Sequence, residues 1–462
     1  MGRYSIDRRT RRLAGGKVLV GGAPSRMIRL GAAGSKALDD LLAGGRPAPG
    51  DAADRLRRRL LDAGLIHPVP EPRGASITTV VPVRDGGPEL GRLVGELARA
   101  GMVIVVDDRS RDGSAQIARA AGARVLANAG APGPAGARNC GLAAVETELV
   151  AFVDADCQAV GGGWSAALAG VLDDDPRLAL AAPRVRSVPG RSAVARYETA
   201  CSPLDLGGDP SLVGPGRRVG YLPSAALVGR RTALLEVGGF DERLTVGEDV
   251  DLVARLLERG WSARYAPEVE VLHRPRPTAR ALARQRYDYG RSAATLQRLH
   301  PGIATPLRAT RLTVAVWLAW LADPRAGALA SAAATANVAR LGHDRATREA
   351  LAAFALRGQL EAGRQLARAL AREWLPLAAL LALVSPRSRP PLVLALAADL
   401  AGSRRPGAQR LAPPVRIALR ALDNLSYCAG LWRGVAGERS LAAVSATGPH
   451  RPPDREGSAR RT

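Results

Sequence analysis

Lysine is almost absent from this sequence. Lys17 and Lys36 are the only two, although the formal net charge is +23, so nearly all the positive charge is arginine. Aromatic residues are also scarce, at 3% of 462 residues, and form no motif that could stack bases. No nucleic-acid partner is therefore expected, and the basic surface is left to attract phosphate-rich ligands or anionic lipid. The four cysteines, Cys140, Cys157, Cys201 and Cys428, are scattered without C-x-x-C pairs, and five histidines give no zinc-finger spacing. A reduced, cytosolic setting is the expectation. Residues 1–12 are polar and basic, with no apolar stretch of the kind a secretory signal needs. No apolar run approaches the roughly twenty residues of a spanning helix.

What the sequence does have is carboxylates at strand ends. Leu149-Val150-Ala151-Phe152-Val153 is an apolar strand running into Asp154-Ala155-Asp156. In extended chain, residues two apart point the same way, so both carboxylates are expected to project from the strand's carboxyl end. Open α/β sheets bind ligands there. Two hard oxygen donors suit Mg²⁺ or Mn²⁺. A second such end is Val103-Ile104-Val105-Val106-Asp107-Asp108, and a third acidic element, Gly247-Glu248-Asp249, precedes a helical pattern. Together they point to a nucleotide-sugar site.

The chain divides by composition. Residues 1–73 carry two strands (17–22 and 25–30), helices at 35–42 and 51–63 with Asp51 as N-cap, and a returning strand at 65–67. A Pro-rich linker, 68–74, follows. Residues 74–305 alternate strands and helices, which predicts a parallel sheet. Strands are expected at 77–82, 102–107, 124–127, 149–153, 179–186, 224–229 and 264–266, and helices at 88–100, 114–121, 136–144, 164–172 and 249–259. Residues 306–445 are rich in Ala, Leu and Arg, with short apolar runs at 312–321, 375–384 and 391–398 and a basic amphipathic pattern at 347–374. Interfacial or buried helices are expected there. Residues 446–462 form a polar tail expected to be disordered.

Five motifs in order resemble the family 2 glycosyltransferases. They are Val80-Val81-Pro82-Val83-Arg84-Asp85, Val106-Asp107-Asp108-Arg109-Ser110, Gly136-Ala137-Arg138-Asn139-Cys140-Gly141, Asp154-Ala155-Asp156 and Gly247-Glu248-Asp249. The resemblance implies an α/β, Rossmann-like GT-A sheet, here with a small winged-helix-like N-terminal unit and a helical C-terminal region. It implies an inverting, metal-dependent enzyme that uses a nucleotide-diphosphate sugar. Pro82, Arg84, Asp107, Asp108, Arg138 and Asp154 would bind the nucleotide sugar. Asp107 would meet the uracil, with Asp108 beside it; the alternative is that one of the two only caps the following turn. Asp156, with Asp154 and His273, would hold the cation. Asp249, beside Glu248, would be the base, ionised at neutral pH by the positive end of its helix.

Gln285-Arg286-Tyr287-Asp288-Tyr289-Gly290-Arg291 lies where processive relatives carry Q-x-x-R-W. It lacks the Trp, which argues against a polymer threaded through a channel. Arg286 and Arg291 remain candidate diphosphate contacts.

A narrower resemblance, to glycosyltransferases of the mycofactocin system, covers nearly the whole chain. It implies transfer of glucose from UDP-glucose to a peptide-derived redox cofactor, building a β-1,4-glucose chain, with peptide capture by the N-terminal hairpin. Alternatives are a rhamnosyl- or galactofuranosyltransferase acting on a cell-wall or lipid-linked glycan, and a non-catalytic basic membrane- or nucleic-acid-binding protein. The location expected is the cytoplasm, at the inner face of the membrane, through peripheral contacts of residues 306–400.

Overall fold

Runs such as Val80-Val81 and Val103-Ile104-Val105-Val106 have no polar position, as strands buried on both faces require. The computed structural model describes residues 3–45, 50–159, 163–308, 310–402 and 408–446. The N-terminal piece comprises β1 (Tyr4–Ile6), β2 (Arg11–Leu13), β3 (Val18–Gly21), β4 (Arg26–Arg29), α1 (Ala32–Leu42), α2 (Ala52–Asp62) and β5 (Ile66–Pro68). Asp51 caps α2, accepting a bond from the Asp54 amide. Leu19, Leu38, Leu41, Leu60, Leu65 and Ile66 give this piece its own core.

The large sheet follows, with its helices: β6 (Ile77–Val83), α3 (Glu89–Ala98), β7 (Val103–Asp107), α4 (Ser114–Ala120), β8 (Arg124–Ala127), α5 (Pro134–Ala143), β9 (Leu149–Val153), β10 (Cys157–Ala159), α6 (Trp164–Asp174), β11 (Leu178–Ser187), α7 (Ala193–Cys201), β12 (Ser211–Leu212), β13 (Ala226–Arg230), α8 (Arg231–Glu236), α9 (Glu248–Glu258) and β14 (Ser262–His273). Alternate residues feed two cores. Val81, Val103, Val105 and Ala151 meet α3 and α6 on one face, and Val80, Ile104, Val106 and Phe152 meet α5, α8 and α9 on the other. Gly141 of α5 lies so close to the sheet that a Cβ there would stand 2.3 Å from Val80 Cγ1.

The strand order is β10-β14-β11-β13-β9-β6-β7-β8, with β12 on β14. The sheet is mixed, which corrects the expectation of a parallel one: β13 runs antiparallel to both β9 and β11. The β-α-β alternation holds only as far as β9; β13, reached from β11 by a long excursion through α7 and β12, then enters between β9 and β11 in the opposite sense. β14 corrects a second expectation. The short strand 264–266 and the segment 268–272 are one twelve-residue strand. Its pairing with β11 slips between Ala266 and Glu270. Pro267 falls in that slip, where its missing N–H breaks no ladder bond. β6 lies between parallel neighbours β7 and β9, so the order reverses beside it and opens a crevice at the carboxyl ends.

The N-terminal piece docks at the other end of the sheet. Arg177, just before β11, bonds Asp62 at 3.1 Å, Arg218 bonds Asp7 at 3.0 Å, and Arg264, near the start of β14, lies 3.3 Å from His67 Nδ1. β11 and β14 start together and run parallel, so these contacts gather at their amino ends while His273 closes β14 at its carboxyl end.

Two compact units divide the chain: Met1–Leu282 with Arg404–Leu419, and Ala283–Ser403 with Arg420–Thr462. The second is helical, built from most of α10 (Ala279–Leu299), then α11 (Arg311–Ala322), α12 (Pro324–Ala339), α13 (Arg345–Ala371), α14 (Leu375–Val384), α15 (Arg389–Gly402) and much of α16 (Pro413–Glu438). Among the described residues, no helix is long and apolar enough to cross a membrane. The expected tail lies, from residue 447 on, outside the described residues.

Candidate active site

Asp154 and Asp156 do converge, but not as neighbours on an extended strand. β9 ends at Val153, and the chain turns: the Cys157 amide donates to the Asp154 carbonyl at 3.0 Å. β10 then pairs antiparallel with β14, placing Cys157 opposite His273. The Arg274 amide donates to the Asp156 carbonyl at 3.0 Å. This register brings His273 Nε2 to 3.1 Å from Asp156 Oδ1. One donor atom each from Asp154, Asp156 and His273 lies within 4.8 Å of the others. Two carboxylate oxygens and an imidazole nitrogen form a donor set that suits Mg²⁺ or Mn²⁺.

Burial works against ionisation of Asp156. The hydrogen bond and charge of His273, with Arg276 behind them, outweigh it and hold the carboxyl below its usual range. His273 responds in the opposite sense, its pKa drawn down by burial but raised on balance by Asp156. Arg276 Nη1 stands 3.9 Å from Asp156 Oδ2. Sequence reasoning missed this arginine; its only signal is its position three residues after His273.

Arg138 is neither a solvated helix arginine nor free to face a diphosphate. It is buried in α5, with Nη2 2.6 Å from Asp154 Oδ1 and Nη1 2.8 Å from Glu248 Oε1. Its guanidinium carbon sits 5.4 Å from the centre of the Phe240 ring. Two carboxylates outweigh the cost of burial and hold it protonated.

Asp249 lies in the first turn of α9, whose N-cap is Gly247 with φ of +89°, a conformation that favours glycine. Its Oδ2 accepts from the Ser224 amide at 3.2 Å and its Oδ1 from the Val250 amide at 2.8 Å. Ionisation at neutral pH was expected from the helix end. Instead, burial and then the adjacent Glu248 carboxylate push its pKa up to about 7, against the pull of those amides and Arg138. Such a value suits a proton acceptor working near neutrality.

The two aspartates after β7 have different roles in the fold. Asp108 is buried and spends both oxygens on the loop before α5, accepting from Asn128 Nδ2 at 2.7 Å and the Gly133 amide at 2.9 Å. Asp107 accepts from the Ser110 amide at 3.2 Å through Oδ1 and is only partly buried, so it is the better placed of the two to meet a base. Pro82 is buried within β6, and Arg84 is exposed at its end. Glu242 is a further residue missed in the sequence; it accepts from the Ala131 amide and Asn139 Nδ2, at 2.9 Å each, and ties down the same loop. Arg286 and Arg291 belong to the second unit. Arg286 is fully buried there, its Nε 3.2 Å from Asp423, while Arg291 is exposed on α10.

The profile described as "Glycosyl transferase family 2" matches residues 78–217, and that of "Glycosyl transferase family group 2" matches residues 149–398. The chain is 40% identical over 460 residues to the pre-mycofactocin glycosyltransferase of Mycobacterium tuberculosis, covering 95% of this chain and 96% of that one. It is 52% identical over 58 residues to the N-acetylglucosaminyl-diphospho-decaprenol L-rhamnosyltransferase of the same organism, covering 12% of this chain and 19% of that one. A solved glucosyl-3-phosphoglycerate synthase of Mycobacterium tuberculosis, in complex with Mn²⁺, UDP-glucose and phosphoglyceric acid, matches with a TM-score of 0.36 and 22% identity, covering 49% of this chain and 79% of that one.

Proposed function

Because this chain belongs to glycosyl transferase family 2, we propose that it is the inverting transferase that moves glucose from UDP-glucose onto a peptide-derived redox cofactor, extending a β-1,4-glucose chain. The observation that carries this reading is the 40% identity over 95% of the chain to a protein named for transfer to pre-mycofactocin. A match so long spans the N-terminal piece and the helical unit as well as the sheet.

The residues have distinct tasks. Asp107 faces the uracil, with Pro82 and Arg84 at the neighbouring strand end. Asp154, Asp156 and His273 would hold a Mg²⁺ or Mn²⁺ ion, which when bound supplies Lewis-acid neutralisation of charge on the departing UDP. Arg276 adds a cation beside them. Asp249 takes the proton from the acceptor hydroxyl as that oxygen forms its bond to the anomeric carbon, on the face opposite UDP. Glu248 raises the proton affinity of Asp249 and is itself held by Arg138. Arg286 and Arg291 belong to the second unit, where the charge of Arg286 is met by Asp423, and neither is given a task in this site.

The N-terminal piece would capture a peptide by strand addition. It docks at the end of the sheet opposite the acidic cluster, so capture there is an event separate from transfer. The matching location is the cytoplasm, at the inner face of the membrane. A second reading, a rhamnosyltransferase of lipid-linked glycan synthesis, draws on the 58-residue match alone. Incubation with UDP-glucose or dTDP-rhamnose and either acceptor class, followed by mass spectrometry, separates the two. Successive hexose additions to the peptide-derived acceptor support the proposal; transfer only to a polyprenyl-linked glycan replaces it with the second reading.

A further inference from the structure

α14 is apolar on every side. Its sequence, Leu-Pro-Leu-Ala-Ala-Leu-Leu-Ala-Leu-Val, has no polar side chain, yet Ala378 alone among its ten residues is buried. Leu383 and Val384 are 77% and 73% exposed, and Leu377, Leu380 and Leu381 are each more than half exposed. α15 continues the surface with exposed Val393, Leu394 and Leu396, packing inward through Ala395. A helix without a polar face is normally covered, by protein or by lipid.

The turn between these helices is tied back onto α14. The Ser388 hydroxyl lies 3.0 Å from Leu381 O and 2.7 Å from Ser385 O. Arg389 Nε donates at 2.9 Å to Ala382 O, one of the carbonyls a helix end leaves open. Arg387 and Arg389 are the only charged residues between Trp374 and Asp399, and both are exposed.

We propose that the α14–α15 hairpin is an interfacial anchor that lies in one leaflet of a bilayer carrying anionic lipid, its leucines among the upper acyl chains and Arg387 and Arg389 at the headgroup phosphates. This rests on the peripheral membrane location stated above and names the element responsible. A ten-residue helix extends about 15 Å, half the hydrocarbon thickness, so it lies within a leaflet and does not cross. Charge selects lipid over a second copy: opposing two such hairpins would bring four arginines together on chains of net charge +23, whereas lipid phosphates complement them.

The test uses the full chain with phosphatidylcholine vesicles, with and without phosphatidylglycerol, followed by co-sedimentation and by amide hydrogen exchange. The chain should sediment with the anionic vesicles, be released by high salt, and gain protection across residues 375–398. Leu380→Glu combined with Leu383→Glu should lower partitioning about tenfold or more while donor turnover is kept; exchange on the unaltered chain remains decisive if that variant misfolds. Vesicle binding without protection of 375–398 would overturn the hairpin as anchor while leaving peripheral attachment standing. No binding to anionic vesicles would overturn both. A lipid-free dimer abolished by the double substitution would show that a second copy is the occupant.

Discussion

Nη2 of Arg138 stands 2.6 Å from Oδ1 of Asp154. The other arm of the same guanidinium holds Glu248 at 2.8 Å. One buried cation thus ties the turn that carries the candidate metal ligands to the helix that carries the candidate base. Its loss should be felt in stability and at both halves of the site.

Arg138→Met removes the charge but keeps much of the volume. It leaves the buried Glu248 carboxylate uncompensated, which should cost about 3–5 kcal/mol of unfolding free energy. Arg138→Lys should recover only part, because one ammonium cannot reproduce a two-armed contact. Urea denaturation of the three proteins checks this; a midpoint unchanged in the Met variant would contradict it.

Asp156→Ala should leave the protein folded, though less stable because buried His273 loses its partner, and should lower sugar transfer by roughly 10²-fold or more. His273→Ala should weaken activation by Mn²⁺, seen as a shift of the titration to higher metal concentration. EDTA should abolish turnover of the parent, and added Mn²⁺ or Mg²⁺ should restore it. Full activity in EDTA would remove the metal from the mechanism.

Asp249→Asn should retain donor binding and lose about 10²–10⁴-fold in transfer rate. The parent's rate should rise with pH through an apparent pKa near 7, the value to which burial and Glu248 raise this carboxyl. Glu248→Gln removes the neighbouring negative charge and should move that limb to lower pH. Stability carries the opposite sign. The folded pKa lies above the ordinary 3.8, so the folded protein favours the protonated form and loses stability as pH rises through about 7. The Asn variant should therefore melt higher than the parent at pH 8, with the gap closing toward pH 4.

Asp107→Asn and Asp108→Ala should separate binding from folding. Asp108 accepts two hydrogen bonds in a buried site, so its loss should destabilise the protein by about 1–3 kcal/mol. Asp107 makes one long contact at 3.2 Å, so its substitution should leave the melting temperature nearly unchanged and weaken UDP binding, measured by calorimetry. The reverse pattern would exchange their roles.

Local chemistry determined much of this protein. Unbroken apolar runs made β7 and β9 legible as buried strands, because a strand covered on both faces has no polar position to show. Asp51 before Ala52 marked a helix start, because its carboxylate can take an unpaired amide. The five ordered motifs carried the family. Tertiary structure decided what depends on groups far apart in sequence. Arg138 and Glu248 are 110 positions apart, and only the packing of α5 and α9 on one face of the sheet makes them a pair. His273 reaches Asp156 through the register of β10 on β14, which no spacing rule reveals. The proton affinity of Asp249 went against the local expectation, because a helix dipole is a local field whereas desolvation is imposed by everything packed around the group. The leucines of α14 follow the same rule: a sequence shows that they are apolar, and only the fold shows that the described residues leave most of them exposed.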